Sequence, residues 1–124
     1  LNFPICCSEA FIGNGIYNPK KSYKLYNSEF YFKMLQDIFK KKGSSDLDED
    51  LPLLWNYDFL KVHNCVITSS IILEKSLLEK VNYMPLLKKG REDYACWLEI
   101  LKHTKFIVYI KKPLLYYDLG DRPF

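Results

Sequence analysis

The chain lacks the cysteine patterns that identify disulfide-stapled domains and zinc sites. Its four cysteines include no Cys-x-x-Cys pair: Cys6 and Cys7 are adjacent, and Cys65 and Cys96 lie inside apolar segments. That spacing fits neither a disulfide framework nor a set of zinc ligands. We therefore expect structural thiols, with Cys6 and Cys7 as alternating residues of a strand, in a reducing compartment such as the cytoplasm.

Histidine and the common catalytic loops are also scarce. The chain has two histidines, and no Gly-x-Ser-x-Gly sequence marks a hydrolase nucleophile. The segment 12–15 (Ile-Gly-Asn-Gly) resembles part of a phosphate loop but lacks the third glycine and the Lys-Ser/Thr ending, so it predicts a turn. Hydrolytic triads, zinc chemistry and P-loop chemistry are disfavoured.

Long apolar runs and concentrated charge are absent as well. No segment approaches the ~18 consecutive apolar residues of a membrane span. The 18 basic and 15 acidic residues give a net charge of +3, and the lysines are dispersed along the chain. A nucleic-acid-binding domain usually concentrates its positive charge on one face. We therefore expect neither a membrane span nor a nucleic-acid partner.

What the chain does have is the composition of one globular domain with alternating helices and strands. With 124 residues, of which 48% are hydrophobic and 27% charged, it can build one core. The strands are apolar enough to be buried on both faces, which predicts an α/β fold. The pattern predicts strands at Leu1–Cys7, Val66–Leu73, Phe106–Ile110 and Leu114–Tyr117, a loop at Phe11–Pro19, and helices from Asn27 or Ser28 to Lys42, at Leu51–Leu60, at Lys75–Val81 and from Glu92 to about His103.

The most informative stretch runs from Gly90 to Leu101. A glycine-containing loop delivers Glu92 and Asp93 to the first turn of a helix, where acidic side chains suit the partial positive charge. The helix is indicated by an apolar stripe at i, i+3, i+4 and i+7, formed by Tyr94, Trp97, Leu98 and Leu101. A carboxylate aimed in this way can stabilise a helix, bind a cation or act as a general base.

Three consecutive hydroxyls stand in the predicted strand 66–73, at Thr68, Ser69 and Ser70. A buried hydroxyl needs a hydrogen-bond partner, so at least one of them is expected to face a polar crevice. We expect Ser69 or Ser70 to lie near Asp93 and to line the same crevice. The competing interpretation is that all three bond only to local backbone.

An acidic loop at 46–50 (Asp-Leu-Asp-Glu-Asp) contains two Asp-x-Asp patterns of the kind that hold a divalent cation on a sugar nucleotide. A working pair of this kind follows a buried strand, whereas this one follows the flexible Gly43-Ser44-Ser45. A solvated loop is therefore favoured over a metal site.

From Asn64 onward the chain resembles the C-terminal half of the catalytic domain of family 2 glycosyltransferases, which have the GT-A fold of nucleotide-diphospho-sugar transferases. The resemblance is carried by Asn64 to Val81, Glu92-Asp93-Tyr94, Trp97-Leu98, and Lys112 to Tyr117. It implies a partial GT-A fold, a mixed sheet flanked by helices, in which 64–124 is the family-like core and 1–63 a variable helical insertion region. The chain departs from the family at Val81-Asn82-Tyr83-Met84, where Val-Gly-Gly-Phe is common, and at Tyr117-Asp118, where Tyr-Arg is common.

The resemblance also implies an activity, the inverting transfer of a sugar from a nucleotide diphosphate donor to a glycan or other acceptor hydroxyl. The family's base maps onto Asp93, with Glu92 beside it. Thr68, Ser69, Ser70 and Arg91 are the candidate substrate-binding residues. The intact enzyme is expected to use Mn²⁺ or Mg²⁺, and no metal ligand is assigned to this chain.

A complete GT-A domain takes roughly twice this length, so we expect an acceptor-side fragment that is inactive alone. Its unpaired sheet edge and apolar faces would then favour a homo-oligomer. The alternative function is a non-catalytic interaction module with a degenerate GT-A fold.

Overall fold

A computed structural model describes residues 3–84 and 91–120. Gly90 and the rest of 85–90, part of the loop predicted before the acidic pair, lie outside the described residues. The strands are β1 (Ile5–Gly13), β2 (Lys24–Leu25), β3 (Leu54–Trp55), β4 (Ile72–Leu73) and β5 (Ile107–Asp118). The helices are α1 (Phe32–Lys41), α2 (Tyr57–Leu60), α3 (Lys75–Lys80) and α4 (Glu92–Ile100), with a π-helical turn at Tyr26–Phe30 and a 3-10 turn at Thr68–Ser70.

The described strands form one mixed sheet built around two long parallel neighbours. Its order is β2-β1-β5-β3, with β1 parallel to β5, and β4 pairs antiparallel with the start of β1. β1 is buried on both faces, because successive side chains from Cys7 to Ala10 are all buried. This mixed sheet flanked by helices confirms the predicted α/β class.

The N-terminal strand begins and ends later than the predicted Leu1–Cys7: β1 begins at Ile5, and Leu1 and Asn2 lie outside the described residues. A loop was expected from Phe11, but β1 continues to Gly13, because Phe11 and Ile12 pair with Tyr116 and Tyr117 of β5. A Cβ on Gly13 would lie 2.9 Å from the Tyr116 hydroxyl. Gly13 is therefore required by close packing within the sheet and not by a turn.

The helix predicted at Leu51–Leu60 is wrong over its first half. Leu54 and Trp55 pair with β5 as a strand, and the Trp55 ring stacks on Tyr109 with centroids 4.4 Å apart. The helix begins only after Asn56, whose side-chain oxygen accepts from the Phe59 backbone N–H at 2.9 Å. Pairing with a distant strand has overridden the local helical pattern.

The strand predicted at Val66–Leu73 is also wrong for most of its length. The chain turns at Thr68–Ser70, where the Ile67 carbonyl accepts from the Ser70 backbone N–H at 2.8 Å and from the Ser70 hydroxyl at 2.7 Å. Only Ile72 and Leu73 form a strand. The β-branched composition of this segment reflects burial of Val66 and Ile67 and not pairing in the sheet.

The two C-terminal strands predicted on either side of Pro113 are a single strand. Ser8 of β1 pairs with Ile110 of β5, and the next residue, Glu9, pairs with Pro113. The two extra residues of β5 between these pairs form a β-bulge. A proline is tolerated at such a bulge because the ladder is already interrupted.

The three remaining predicted helices are confirmed as α1, α3 and α4, and their ends lie within a few residues of the predicted ones. α1 ends before Gly43, whose φ of +77° suits a helix C-terminus. Its predicted first turn is instead the π-helical turn Tyr26–Phe30, without a side-chain cap. α3 is confirmed, and Cys6 and Cys7 alternate on β1 as expected, with Cys7 buried and Cys6 half-buried.

A buried carboxylate attaches the segment after β2 to the sheet. Glu9 of β1 is fully buried, and it accepts from the backbone N–H groups of Ala10, Asn27 and Ser28, each at 3.0 Å. It also accepts from the Tyr109 hydroxyl of β5 at 2.5 Å. Burial, and then this hydrogen bond, raise the pKa of Tyr109, so the phenol is a proton donor to the carboxylate.

Candidate functional site

The predicted acidic helix is present and is oriented by its apolar side. α4 begins at Glu92 with Asp93 in its first turn. Trp97 and Leu101 are buried in the core, and Tyr94 and Leu98 pack against it, as the apolar stripe predicts. The core therefore fixes the rotation of α4 and with it the side from which Asp93 projects.

The structure brings Asp93 together with the predicted hydroxyl segment. Thr68 Oγ1 donates to Asp93 Oδ2 at 2.5 Å, and Asp93 Oδ1 accepts from the Tyr94 backbone N–H at 2.7 Å. Asp93 is half-buried and belongs to none of the ion pairs found within 3–84 and 91–120. A carboxylate has about four acceptor positions, so two used positions leave capacity for a ligand hydroxyl.

Thr68, and not Ser69 or Ser70, makes this contact. Ser70 Oγ instead accepts from the Ser8 backbone N–H of β1 at 3.1 Å and donates to the Ile67 carbonyl. Ser70 therefore ties the 3-10 turn to the sheet. Ser69 is exposed, and Glu92 is half-buried in the first turn of α4.

A cavity of about 480 Å³ lies at the start of α4. It is lined by the segment after α2 and by the N-terminal end of α4: Lys61, Val62, His63, Asn64, Arg91 and Tyr94. Arg91 and Tyr94 line it on either side of Asp93 in sequence, whereas Asp93 is not itself a lining residue. The Tyr94 hydroxyl donates to the Leu60 carbonyl at 2.6 Å, which holds the two walls together.

The polar groups of this cavity differ in their environments. Arg91 is exposed and has the left-handed backbone conformation, φ 69° and ψ 19°, that side chains other than glycine seldom adopt. Asn64 Oδ1 is buried and has no hydrogen-bond partner within the described residues. Burial lowers the pKa of His63, which favours its neutral form at neutral pH.

Sequence reasoning missed Lys61, His63, Asn64 and Tyr94 as members of one cavity wall, since their proximity depends on where α2 ends against α4. It also missed the cluster around Glu9. A glutamate within the apolar run Ile5–Ile12 is the signal that could have revealed that cluster.

The acidic loop makes contacts of its own, and Asp46 lines a second cavity together with Lys61 and Val62. Asp50 forms an ion pair with Lys111 of β5, and the hydrogen bond from Lys111 lowers the pKa of Asp50. Asp46 and Asp48 are exposed. Within 3–84 and 91–120, no three His, Cys, Asp or Glu side chains converge as metal ligands would.

Two further findings bear on function. None of the helices in the described part of the chain combines the length and the apolar character needed to cross a bilayer. No family model, curated protein or solved structure matches this chain.

Proposed function

We propose that this chain is the acceptor side of an inverting glycosyltransferase with a GT-A-type fold, in which Asp93 is the general base. The observation that carries the proposal is the placement of Asp93 in the first turn of α4, hydrogen-bonded to Thr68 and flanked in sequence by two residues that line a cavity. The reaction would transfer a sugar from a nucleotide diphosphate to a glycan or other hydroxyl acceptor, in the cytoplasm.

Two hydrogen bonds to Asp93 support its assignment as the base. A general base must lie within hydrogen-bond reach of the hydroxyl that it deprotonates, and its orientation must be fixed. The bonds from Thr68 Oγ1 and from the Tyr94 backbone N–H fix the carboxylate plane. In a direct displacement, Asp93 would take the acceptor proton while the acceptor oxygen bonds to the sugar carbon and the nucleotide diphosphate leaves.

The backbone after α3 supports the resemblance independently of the acidic pair. Asn82 and Tyr83, which stand where the family commonly has Gly-Gly, have φ of 57° and 62°. Glycine is the residue that adopts such values without strain. The positions therefore keep the backbone that a glycine pair favours, although the glycines are replaced.

The described residues do not fit the divalent cation that the family implies. Asp50 is paired with Lys111, and no three ligand side chains converge in 3–84 or 91–120. The resemblance assigns nucleotide-sugar binding, and the Mn²⁺ or Mg²⁺ with it, to a donor half that these 124 residues do not match. No step of the proposed mechanism passes through the metal.

The test is the Asp93→Asn variant of the full-length protein, assayed for release of nucleoside diphosphate from a panel of nucleotide sugars. Turnover should fall by about two orders of magnitude or more, while donor binding is retained. Asp37→Asn is the control, because Asp37 is an exposed aspartate of α1 that pairs with Lys33 and contacts no residue of the cavity wall among its ion pairs. Unchanged turnover in Asp93→Asn would rule out the base. Absence of turnover with every donor would favour the alternative, a non-catalytic interaction module.

A further inference from the structure

We propose that the loop between β1 and β2, residues 14–23, is a docking surface for an anionic membrane. Ile16 and Tyr17 would enter the bilayer interface, and the lysines that follow them would lie against the headgroups. This surface shares no residue with the candidate site and is independent of the proposed function. Among the large hydrophobic side chains of the described residues, Ile16 is the most exposed, at 93%.

Hydrogen bonds to β5 fix the backbone of the loop next to Ile16. The Gly15 N–H donates to Asp118 Oδ1 at 2.9 Å, and the Gly15 carbonyl accepts from the Tyr116 hydroxyl at 3.0 Å. Isolated exposed apolar residues are common on protein surfaces, and many of them can turn inward. Here the residue before Ile16 is attached to β5 through both of its backbone groups, so the fold itself presents the side chain to solvent.

Aromatic side chains support the tip of the loop. The Tyr17 ring stacks on Tyr23 with centroids 5.6 Å apart, and it lies 5.3 Å from the Tyr116 ring. Tyr17 is nevertheless 45% exposed, and it lines a cavity together with Leu114 of β5, which is 64% exposed. Tyrosine is enriched at membrane–water interfaces, because its ring is apolar and its hydroxyl can stay in water. Leu114 extends the exposed apolar surface beside Tyr17.

The charge that follows this tip favours an anionic surface. Residues 14–24 contain Lys20, Lys21 and Lys24 and no Asp or Glu. All three lysines are exposed, and none belongs to an ion pair within 3–84 and 91–120. A turn keeps two of them close to the tip, since Asn18 accepts from the Lys20 and Lys21 backbone N–H groups, each at 3.0 Å. Asp118, which is bonded to the loop, offsets only part of this positive charge.

A protein partner and a second copy of the chain fit this surface less well. A stable protein interface buries about 800 Å² on each side, whereas the apolar part of this loop consists of a few side chains. A symmetric contact between two copies would also bring the lysines of one loop towards those of the other. Binding to a bilayer can instead combine a small inserted apolar area with attraction between lysines and anionic headgroups.

The experiment is co-sedimentation of the full-length protein with vesicles of phosphatidylcholine alone and of phosphatidylcholine mixed with phosphatidylserine. The protein should bind the mixed vesicles more tightly, and this binding should weaken as the salt concentration rises, because salt screens exposed charges. No binding to the mixed vesicles at low salt, or equal binding to both kinds of vesicle, would overturn the proposal.

The Ile16→Ser variant tests the apolar tip. Because Ile16 is almost fully exposed, the change should leave the fold intact. Binding to the mixed vesicles should weaken by about fivefold to tenfold, which is less than full burial of an isoleucine would give, since the side chain enters only the interface. Ile72→Ser is the matched control, because Ile72 is also exposed and lies in β4, which pairs with the opposite end of β1. An Ile16→Ser effect no larger than that of the control contradicts the proposal.

The double variant Lys20→Gln/Lys21→Gln tests the charge. It should weaken binding to the mixed vesicles by about tenfold or more, since each lysine near an anionic surface contributes about fivefold. Lys40→Gln/Lys41→Gln, an exposed pair at the end of α1, is the control, and an equal loss in both double variants contradicts the proposal. Light scattering tests the competing occupant. A dimer that Ile16→Ser converts to a monomer, with vesicle binding retained, would assign the loop to a second copy and overturn the membrane assignment.

Discussion

Two carboxylates in this molecule accept similar hydrogen bonds, and they differ in the number of those bonds and in how deeply they are buried. Glu9, in the centre of the sheet, accepts from three backbone N–H groups and from the Tyr109 hydroxyl, and it is fully buried. Asp93, at the start of α4, accepts from one backbone N–H and from the Thr68 hydroxyl, and it is half-buried.

The difference teaches what separates a structural carboxylate from a candidate base. A saturated, buried carboxylate stabilises the fold only while all its donors remain, since each donor left unpaired costs free energy. A partly used carboxylate contributes little to stability and keeps acceptor capacity for a ligand. We therefore expect changes at Glu9 to affect stability and changes at Asp93 to affect activity. Four variants test this distinction.

The largest expected effect is the loss of the Glu9 carboxylate. Glu9→Ala leaves the buried Asn27 N–H, the partly buried Ser28 N–H and the buried Tyr109 hydroxyl without their acceptor, so the free energy of unfolding should fall by about 3 kcal/mol or more. Urea denaturation of Glu9→Ala beside Glu79→Ala, an exposed glutamate in α3, measures it. Equal stability of the two variants would remove the distinction between the two carboxylates.

A smaller effect is expected when one donor to Glu9 is removed. Tyr109→Phe keeps the ring that stacks on Trp55 but loses the buried hydroxyl, and unfolding free energy should fall by about 1–2 kcal/mol. Tyr116→Phe is the control, because the Tyr116 hydroxyl donates to the Gly15 carbonyl at an exposed position. If Tyr116→Phe lost more unfolding free energy than Tyr109→Phe, burial of the hydroxyl would not determine the size of the effect.

Asp93→Asn should change stability least among the carboxylate variants. We expect a loss of at most about 1 kcal/mol, the scale of a charge near a helix N-terminus and of an exposed pair. The double variant with Thr68→Val, measured by urea denaturation, isolates the coupling between the two side chains. A loss comparable to that of Glu9→Ala would make Asp93 a second structural anchor and would weaken its assignment as a base.

The smallest effect is a pH dependence from His63. Burial lowers its pKa in the folded state, so the unfolded state binds the proton more readily. Its contribution to stability is present above the unfolded pKa of about 6.5 and is lost as pH falls through the lower folded pKa. Thermal unfolding should show that His63→Gln loses less stability than the parent protein when the pH falls from neutral to mildly acidic. An identical slope would exclude this contribution.

The part of the fold that could be predicted from sequence is the part that local pattern determines. The stripe of Tyr94, Trp97, Leu98 and Leu101 specifies both a helix and its buried side, and α4 has both. The segments 51–60 and 66–73 were predicted wrongly because their backbones are set by partners distant in sequence. Trp55 pairs with β5, and Ser70 bonds to Ser8 of β1.

The same reasoning explains what was predicted of the candidate site. A hydroxyl near Asp93 could be expected because three consecutive hydroxyls need partners. Which of them makes the contact depends on the 3-10 turn, which directs Ser70 to the sheet and Thr68 to Asp93. The cavity wall at 61–64 could not be predicted, because no local pattern says that the end of α2 meets α4.

The parallel pairing of β1 with β5 has a consequence for how the chain folds. The Glu9 and Tyr109 side chains that meet at the centre of the sheet are 100 residues apart in sequence. During synthesis, at ~5–20 residues per second, β1 leaves the ribosome about 5–20 s before its central partner exists. Contacts this remote in sequence slow folding, so refolding of the isolated chain is expected in milliseconds to seconds and not in microseconds. Stopped-flow fluorescence of a Trp97→Phe variant, which leaves Trp55 as the one tryptophan, follows that step, because Trp55 stacks on Tyr109 only once β5 is in place.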